Sequence, residues 1–281
     1  MDWQFFTSIS VIASSTLVII QRVILRNQKT DPIAFVLLTQ LINSIVMTII
    51  AILNGWKMPD LSLYWFPMLV TFVLYGGGHI LYAHTLKRVE ASVFSILLAT
   101  STVWVMAMGV IVFDEIIGLR EIIGALLIFA SIVLLTERTG KIKLDRSIVM
   151  GLVMGLIFGI ASAAWVYVGK LADSLTWIAL SAIGPGLVVL FIQPRAVLKI
   201  KPLLTKSVLA KMALLSASFG VANLAMLIAY KSGPITSVAP LLQTNILVTV
   251  LLGIVFLGER ARLLHKIGAG IVCLLGVLLL I

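Results

Sequence analysis

The second half of the chain repeats the first at a constant offset of 144 residues. Leu97-Leu98-x-Thr100 is matched by Leu241-Leu242-x-Thr244, Gly109 by Gly253, Glu115 by Glu259, and Ile123-Gly124-Ala125 by Ile267-Gly268-Ala269. No gap is needed from about Gly76, opposite Gly220, to the C-terminus. Any fold for this chain must therefore place two similar units in one body.

Neither unit suits water. The 281 residues are 61% hydrophobic and 11% charged, against about 25% charged in a soluble domain. A membrane span needs about 20 apolar residues. The sequence predicts ten spans, at 4–25, 32–53, 61–86, 92–113, 118–136, 147–169, 174–193, 205–229, 235–257 and 263–281. The links are too short to hold a soluble domain. Each unit takes five spans, 3–137 and 147–281, with a seam near Thr139–Arg146. Five is odd, so the second unit enters from the opposite side. The expected fold is all-α and polytopic, with ten helices as two inverted-topology repeats. Duplicated units of this kind enclose a solute path where they meet.

The net charge of +10 reflects membrane topology, with no nucleic-acid partner implied. Of the 21 Lys and Arg, 17 fall in loops after odd-numbered spans. The other four are Lys57, Arg120, Lys170 and Lys231. The positive-inside rule then puts the odd loops in the cytoplasm and both termini outside. The first span has no basic n-region and exceeds an h-region in length, so it is expected to stay as a span. The single Cys273 excludes an intramolecular disulfide and reads as a small apolar filler.

Helix breakers sit inside three spans: Gly76-Gly77-Gly78 in span 3, Gly184-Pro185-Gly186 in span 7 and Pro240 in span 9. They are read as interrupting their helices, since freed backbone groups are tolerated beside a watery cavity, with close helix packing the alternative for the glycines. Polar residues at matched depths add to this. His79 is matched by Asn223, Thr100 by Thr244 and Ser101 by Asn245, with Gln243 alongside. Tyr82, Trp104, Trp165 and Tyr230 are aromatic candidates for the same cavity. Ser14, Ser15, Thr16, Gln40, Asn43 and Ser162 are further polar residues within spans. Each polar residue has a plainer alternative as helix glue, worth under about 1 kcal/mol.

His79 is the one ionisable residue expected deep in a span, which makes it a candidate substrate contact. No Asp or Glu lies at mid-depth, which disfavours cation exchange on a membrane carboxylate. No Lys or Arg does either. Arg22 and Lys170 near span ends are expected to snorkel to the interface, and His84 and His265 to be interfacial. Trp3, Trp56, Tyr64 and Trp65 read as belt residues. No metal cluster, Walker loop or Ser–His–Asp spacing is present, so no enzyme, metal or cofactor is expected.

Three stretches of the second half carry a family likeness: Gly233-Pro234-x-x-Ser237-x-x-x-Pro240-Leu241, Phe256-Leu257-Gly258-Glu259-Arg260 and Gly268-Ala269-Gly270-Ile271. The first half echoes them with Glu90-Ala91-Ser92, Phe113-Asp114-Glu115 and Ile123-Gly124-Ala125. With ten spans in two halves, the chain resembles the EamA type of the drug/metabolite transporter superfamily over essentially its whole length. The resemblance implies an inverted-repeat carrier with a central cavity between spans 1, 3, 4, 6, 8 and 9. On that ground Gln40 and Asn43, in span 2, are set aside. Glu115 and Glu259 match the family's Gly-Glu signature and are read as structural, although Asp114 stands where Gly is usual. Many family members are described with cytoplasmic termini; the charges here place them outside.

The leading expectation is a secondary carrier of the plasma membrane for a small polar or amphipathic metabolite, such as an amino acid or its derivative. The alternatives are a nucleotide-sugar, sugar-phosphate or lipid-linked sugar translocator, and a non-transporting membrane scaffold. The expected partners are a small-molecule substrate and the lipid bilayer, with a homodimer left open.

Overall fold

The computed structural model describes residues 3–113, 118–136, 146–233, 238, 241–242, 244–258 and 263–279. The first half forms α1 (Trp3–Leu25), α2 (Pro32–Leu53), α3 (Leu61–Arg88), α4 (Ala91–Phe113) and α5 (Leu119–Thr136). The second forms α6 (Arg146–Leu171), α7 (Ser174–Ile192), α8 (Lys206–Ser232), α9 (Asn245–Leu257) and α10 (Leu263–Leu279). Two short 3-10 turns, Pro194–Lys199 and Lys201–Leu203, link α7 to α8. Among the described residues, seven helices, α1–α4 and α6–α8, are long and apolar enough to cross a membrane. The other three carry shorter apolar stretches, at Ile122–Ser131, Asn245–Leu257 and Ile267–Leu279.

The apolar runs set the helices and short polar caps set several of their ends. Asp31 accepts from the amides of Ile33 and Ala34 at the start of α2, where Pro32 gives up no needed donor. Asp60 caps α3, Asp173 caps α7 and Thr205 caps α8 in the same way. Gly258 ends α9 in the left-handed conformation, at φ 67°, which glycine adopts without steric cost. The ninth span departs from expectation. Its helix α9 begins afresh at Asn245, with Thr244 at the cap position; of the stretch before it, Val238, Leu241 and Leu242 are helical. Pro240 lies outside the described residues.

The expected glycine breaks do not occur. α3 runs 28 residues without interruption through Gly76–Gly78, and α7 runs through Gly184–Gly186. A broken turn in an apolar setting leaves backbone donors and acceptors unpaired, so the ladder is kept. Two of the three glycines serve close approach instead. A Cβ on Gly76 would lie 2.6 Å from Val188 Cγ1 of α7, and one on Gly78 would lie 2.9 Å from Phe158 Cε2 of α6. Gly77 faces open space.

Helix packing obeys a twofold exchange. α1 packs along α8 as α3 packs along α6. α4 packs on α6 as α9 packs on α1, and α3 on α7 as α8 on α2. The pairs α2–α7, α4–α9 and α5–α10 map onto themselves. Replacing each helix by its counterpart five places later therefore returns the same principal packing pairs.

The two ends of the bundle show that this exchange is an inversion. At one end the odd-numbered loops meet. Arg22 donates to the carbonyls of Leu86 and Lys87, at 2.7 and 2.9 Å, and Arg26 to that of Leu257 at 3.3 Å. Arg22 thus turns inward onto the C-terminus of α3, where cations are favoured, and does not snorkel outward as expected. Lys199 bonds Asp31 at 2.7 Å and so ties the two halves together at this end. Burial by itself would raise the Asp31 carboxyl. The bonds from Lys199, Ala34 and Ile33 outweigh it and hold the group below its ordinary value. At the other end the even-numbered loops meet. There Lys231 donates to Ala172 and Ser174, and the Lys57 amide to Thr176 Oγ1.

Candidate functional site

Two cavities lie end to end inside the bundle. The first, of about 290 Å³, leans toward the odd-loop end; the second, of about 230 Å³, leans toward the even-loop end. They share Ser14, Leu17, Leu98, Phe158, Ser162, Asn223 and Met226, which form the border between them, and together they make the two lobes of the candidate site.

One face of α3 builds the first lobe. Tyr75, His79 and Tyr82 stand at i, i+4 and i+7, the spacing that puts side chains on a single helical stripe. Each is tied to a different helix. Tyr75 shares a 2.9 Å hydrogen bond with Ser162 of α6. His79 Nδ1 is bonded to Gln40 Nε2 of α2 at 3.4 Å. Tyr82 donates to Gln21 Oε1 of α1 at 2.6 Å. Phe158 packs edge-on to Tyr75 and His79, with ring centroids 5.3 and 5.5 Å away, and Tyr75 and His79 stack at 5.7 Å. Edge-to-face and offset geometries are those that aromatic quadrupoles favour. Beyond Tyr82 the odd-loop end is filled by the fully buried Leu25, Leu86 and Phe94.

The second lobe sets hydroxyls and amides among apolar side chains such as Leu98, Val105 and Leu242. Ser10, Ser101, Thr102, Asn223 and Asn245 face it, with Tyr230 at its even-loop end. Tyr230 also lines a surface hollow of about 490 Å³ formed with Lys170, Lys231, Ser232 and Gly233. Ser10 Oγ donates to the Ala222 carbonyl at 2.9 Å and Ser15 Oγ to the Asn245 carbonyl at 3.2 Å, which fastens α1 to α8 and α9 around the space. No Asp, Glu, Lys or Arg lines either lobe among the described residues.

The residues singled out in the sequence divide by repeat pair. His79 and its partner Asn223 both line the first lobe, as do Tyr82 and Trp165. Ser101 and its partner Asn245 both line the second. Thr100 and its partner Thr244 line neither. Each bonds back three residues, to Leu97 and Leu241 at 2.7 and 2.8 Å. Thr100 is wedged against Gly155 and Trp104 against Gly159, where a Cβ would lie 2.0 Å from Thr100 Oγ1 and 2.3 Å from Trp104 Cβ. Both therefore belong to the close packing of α4 on α6, the use of small residues common between membrane helices. Gln243, Glu115 and Glu259 lie outside the described residues.

Gln40 and Asn43 need correcting in the other direction. Both line the first lobe, from a helix the resemblance left out, and Ser181 of α7 does too. α2 and α7 therefore help wall the space. Gln21, Tyr75 and Phe158 were not singled out. The α3 stripe could have found Tyr75, one turn before His79. Gln21 carries no such signal, since it sits beside Arg22 near the end of α1.

The sequence matches the EamA-like transporter family over residues 2–137 and again over residues 146–281. The chain belongs to the EamA-like transporter family. The two matches fall on the two halves that exchange under the packing symmetry, so each half is one EamA unit. The lobes thus lie inside a small-molecule transporter embedded in lipid. No curated protein matches the sequence. A solved crystal structure shares the fold at 17% identity, with a TM-score of 0.65, covering 97% of this chain and 96% of its own.

Proposed function

We propose that the chain is a secondary carrier of the plasma membrane, that it moves a small polar or amphipathic metabolite of the amino-acid type, and that it does so by alternating access. The observation that carries this reading is the two-lobed cavity, built from matched residues of both EamA units and directed toward opposite ends of the bundle. Inverted units around a shared mid-depth site can expose it to each side in turn. The uncharged lining favours a solute without net charge over a phosphorylated sugar, whose net negative charge would lack a partner there. The charge bias of the loops supports an orientation with both termini outside.

The reading is tested with purified protein in liposomes preloaded with an unlabelled metabolite extract. A labelled extract is supplied outside, and the expected result is uptake of a small set of solutes that is absent from protein-free vesicles. Equal uptake with and without protein would leave a membrane scaffold as the better description. Orientation is checked separately by a C-terminal reporter active only in the cytoplasm, which should be silent.

A further inference from the structure

Asn43 is an anomaly of the first lobe. Its side chain is 1% exposed, it lines the cavity, and its Oδ1 has no hydrogen-bond partner. A buried acceptor left unpaired is destabilising, and a solute donor brought against it at the wall of the lobe would relieve that. One turn away on the same face of α2, Gln40 reaches His79 at 3.4 Å. Asn43 therefore shares the lining of the lobe with the ring wall of Tyr75, His79, Tyr82 and Phe158. That wall supplies flat apolar contact, and the rest of the lining mixes further apolar side chains with hydroxyls and amides, without a formal charge among the described residues. A net charge brought into such a space would lose its hydration with no counter-charge to replace it.

Resting on the carrier reading above, we infer that the transported solute has no net charge and presents a flat ring carrying an N–H or O–H donor, with the ring against the α3 stripe and the donor on Asn43 Oδ1. The second lobe then receives the remaining polar part of the solute through Ser101, Asn223 and Asn245.

The test is a calorimetric titration of the purified full-length protein in detergent with four ligands on one scaffold, each corrected for empty micelles. Indole is neutral with a ring N–H, and 1-methylindole is neutral without it. Tryptamine is the cation, and indole-3-acetate is the anion. The expected result is that indole binds about tenfold tighter than 1-methylindole, the ratio that ~1.4 kcal/mol of hydrogen bonding gives. Both charged ligands should bind more weakly than indole. In Asn43→Leu the preference for indole over 1-methylindole should vanish, while the ligand-free variant unfolds at the same or a higher temperature, because an unpaired buried acceptor has been removed. The comparison within the native protein needs no variant, so a misfolded variant does not rescue the idea. Equal binding of indole and 1-methylindole, no binding of indole, or tighter binding of either charged ligand overturns it. Transport of extract solutes without indole discrimination would reject this solute class and leave the carrier standing. Discrimination without any transport would reject the carrier and leave the site.

Discussion

Lys87 and Lys231, related by the repeat, make the same pair of contacts at opposite ends of the molecule. Lys87 Nζ donates to the carbonyls of Gln28 and Thr30, and Lys231 Nζ to the carbonyl of Ala172 and the hydroxyl of Ser174. Both the donors and their acceptors are separated by 144 residues. The repeat therefore extends back beyond the gapless stretch that begins near Gly76. Each lysine fastens the third helix of its half to the link between the first and second. Lys87→Met and Lys231→Met should each lower stability by about 1–2 kcal/mol, for two partly exposed hydrogen bonds, read as a fall in unfolding temperature. Hydrogen exchange should quicken only around residues 28–30 in the first variant and only around 172–174 in the second. Faster exchange at both ends from one substitution would show that the latches are not independent.

The three glycines of α3 should respond differently to alanine. Gly77 faces open space, so Gly77→Ala should be neutral or stabilise by up to ~1 kcal/mol through helix propensity. Gly76→Ala drives a Cβ against Val188 and Gly78→Ala drives one against Phe158. Each should destabilise by about 1–3 kcal/mol, the usual cost of overpacking. Thermal unfolding in detergent ranks them. A Gly77→Ala variant as damaged as the other two would contradict the packing of this stretch.

Most of the helical layout was legible in the sequence, because lipid leaves the backbone few choices. Apolar runs fixed where helices lie; the caps Asp31, Asp60 and Asp173, which set three of the starts, were not read from the sequence. The glycine runs left a break and close packing both open, because a missing side chain serves either, and composition alone does not separate the two. The cavity was partly legible through repeat pairs: His79 with Asn223, and Ser101 with Asn245. Thr100 with Thr244 looked equivalent but turns onto its own helix. Which way a polar side chain faces depends on the rotation of each helix about its axis, which neighbours set. That same rotation brings Gln40 and Asn43 into the lobe, against an expectation drawn from span numbers.

Cysteine probes separate these two kinds of pair. In a Cys273→Ser background, Ser101→Cys, Asn223→Cys and Asn245→Cys should react with a small water-soluble thiol reagent, since all three residues line the second lobe. Thr100→Cys should stay unreactive, because Thr100 is 0% exposed and packs against Gly155. The reverse pattern would mean that the polar lining of that lobe is helix glue.

His79 bridges the ring wall and α2, so its loss should be felt in transport more than in folding. His79→Ala should remove most transport while leaving the amount of folded protein in the membrane unchanged. His79→Gln keeps a hydrogen-bonding group within reach of Gln40 and should retain part of the rate. If the Gln variant also lost a pH dependence present in the native protein, the ring would be carrying a proton. Near-normal transport by the Ala variant would remove His79 from the site.

The continuity of α3 has a mechanical consequence. A 28-residue helix is a rod ~42 Å long, and it is gripped at mid-length where Gly76 meets α7 and Gly78 meets α6. A rod held there behaves as a seesaw. A tilt of ~10° about that grip carries the turn just past Pro67, near Met68, sideways by ~2 Å and the last turn, near Lys87, the opposite way by ~3 Å, at 1.5 Å of rise per residue. Tyr75 and His79 sit next to the fulcrum and hardly travel. Drawing one end of α3 toward the bundle axis therefore swings the other end away from it, with the ring wall left in place between them.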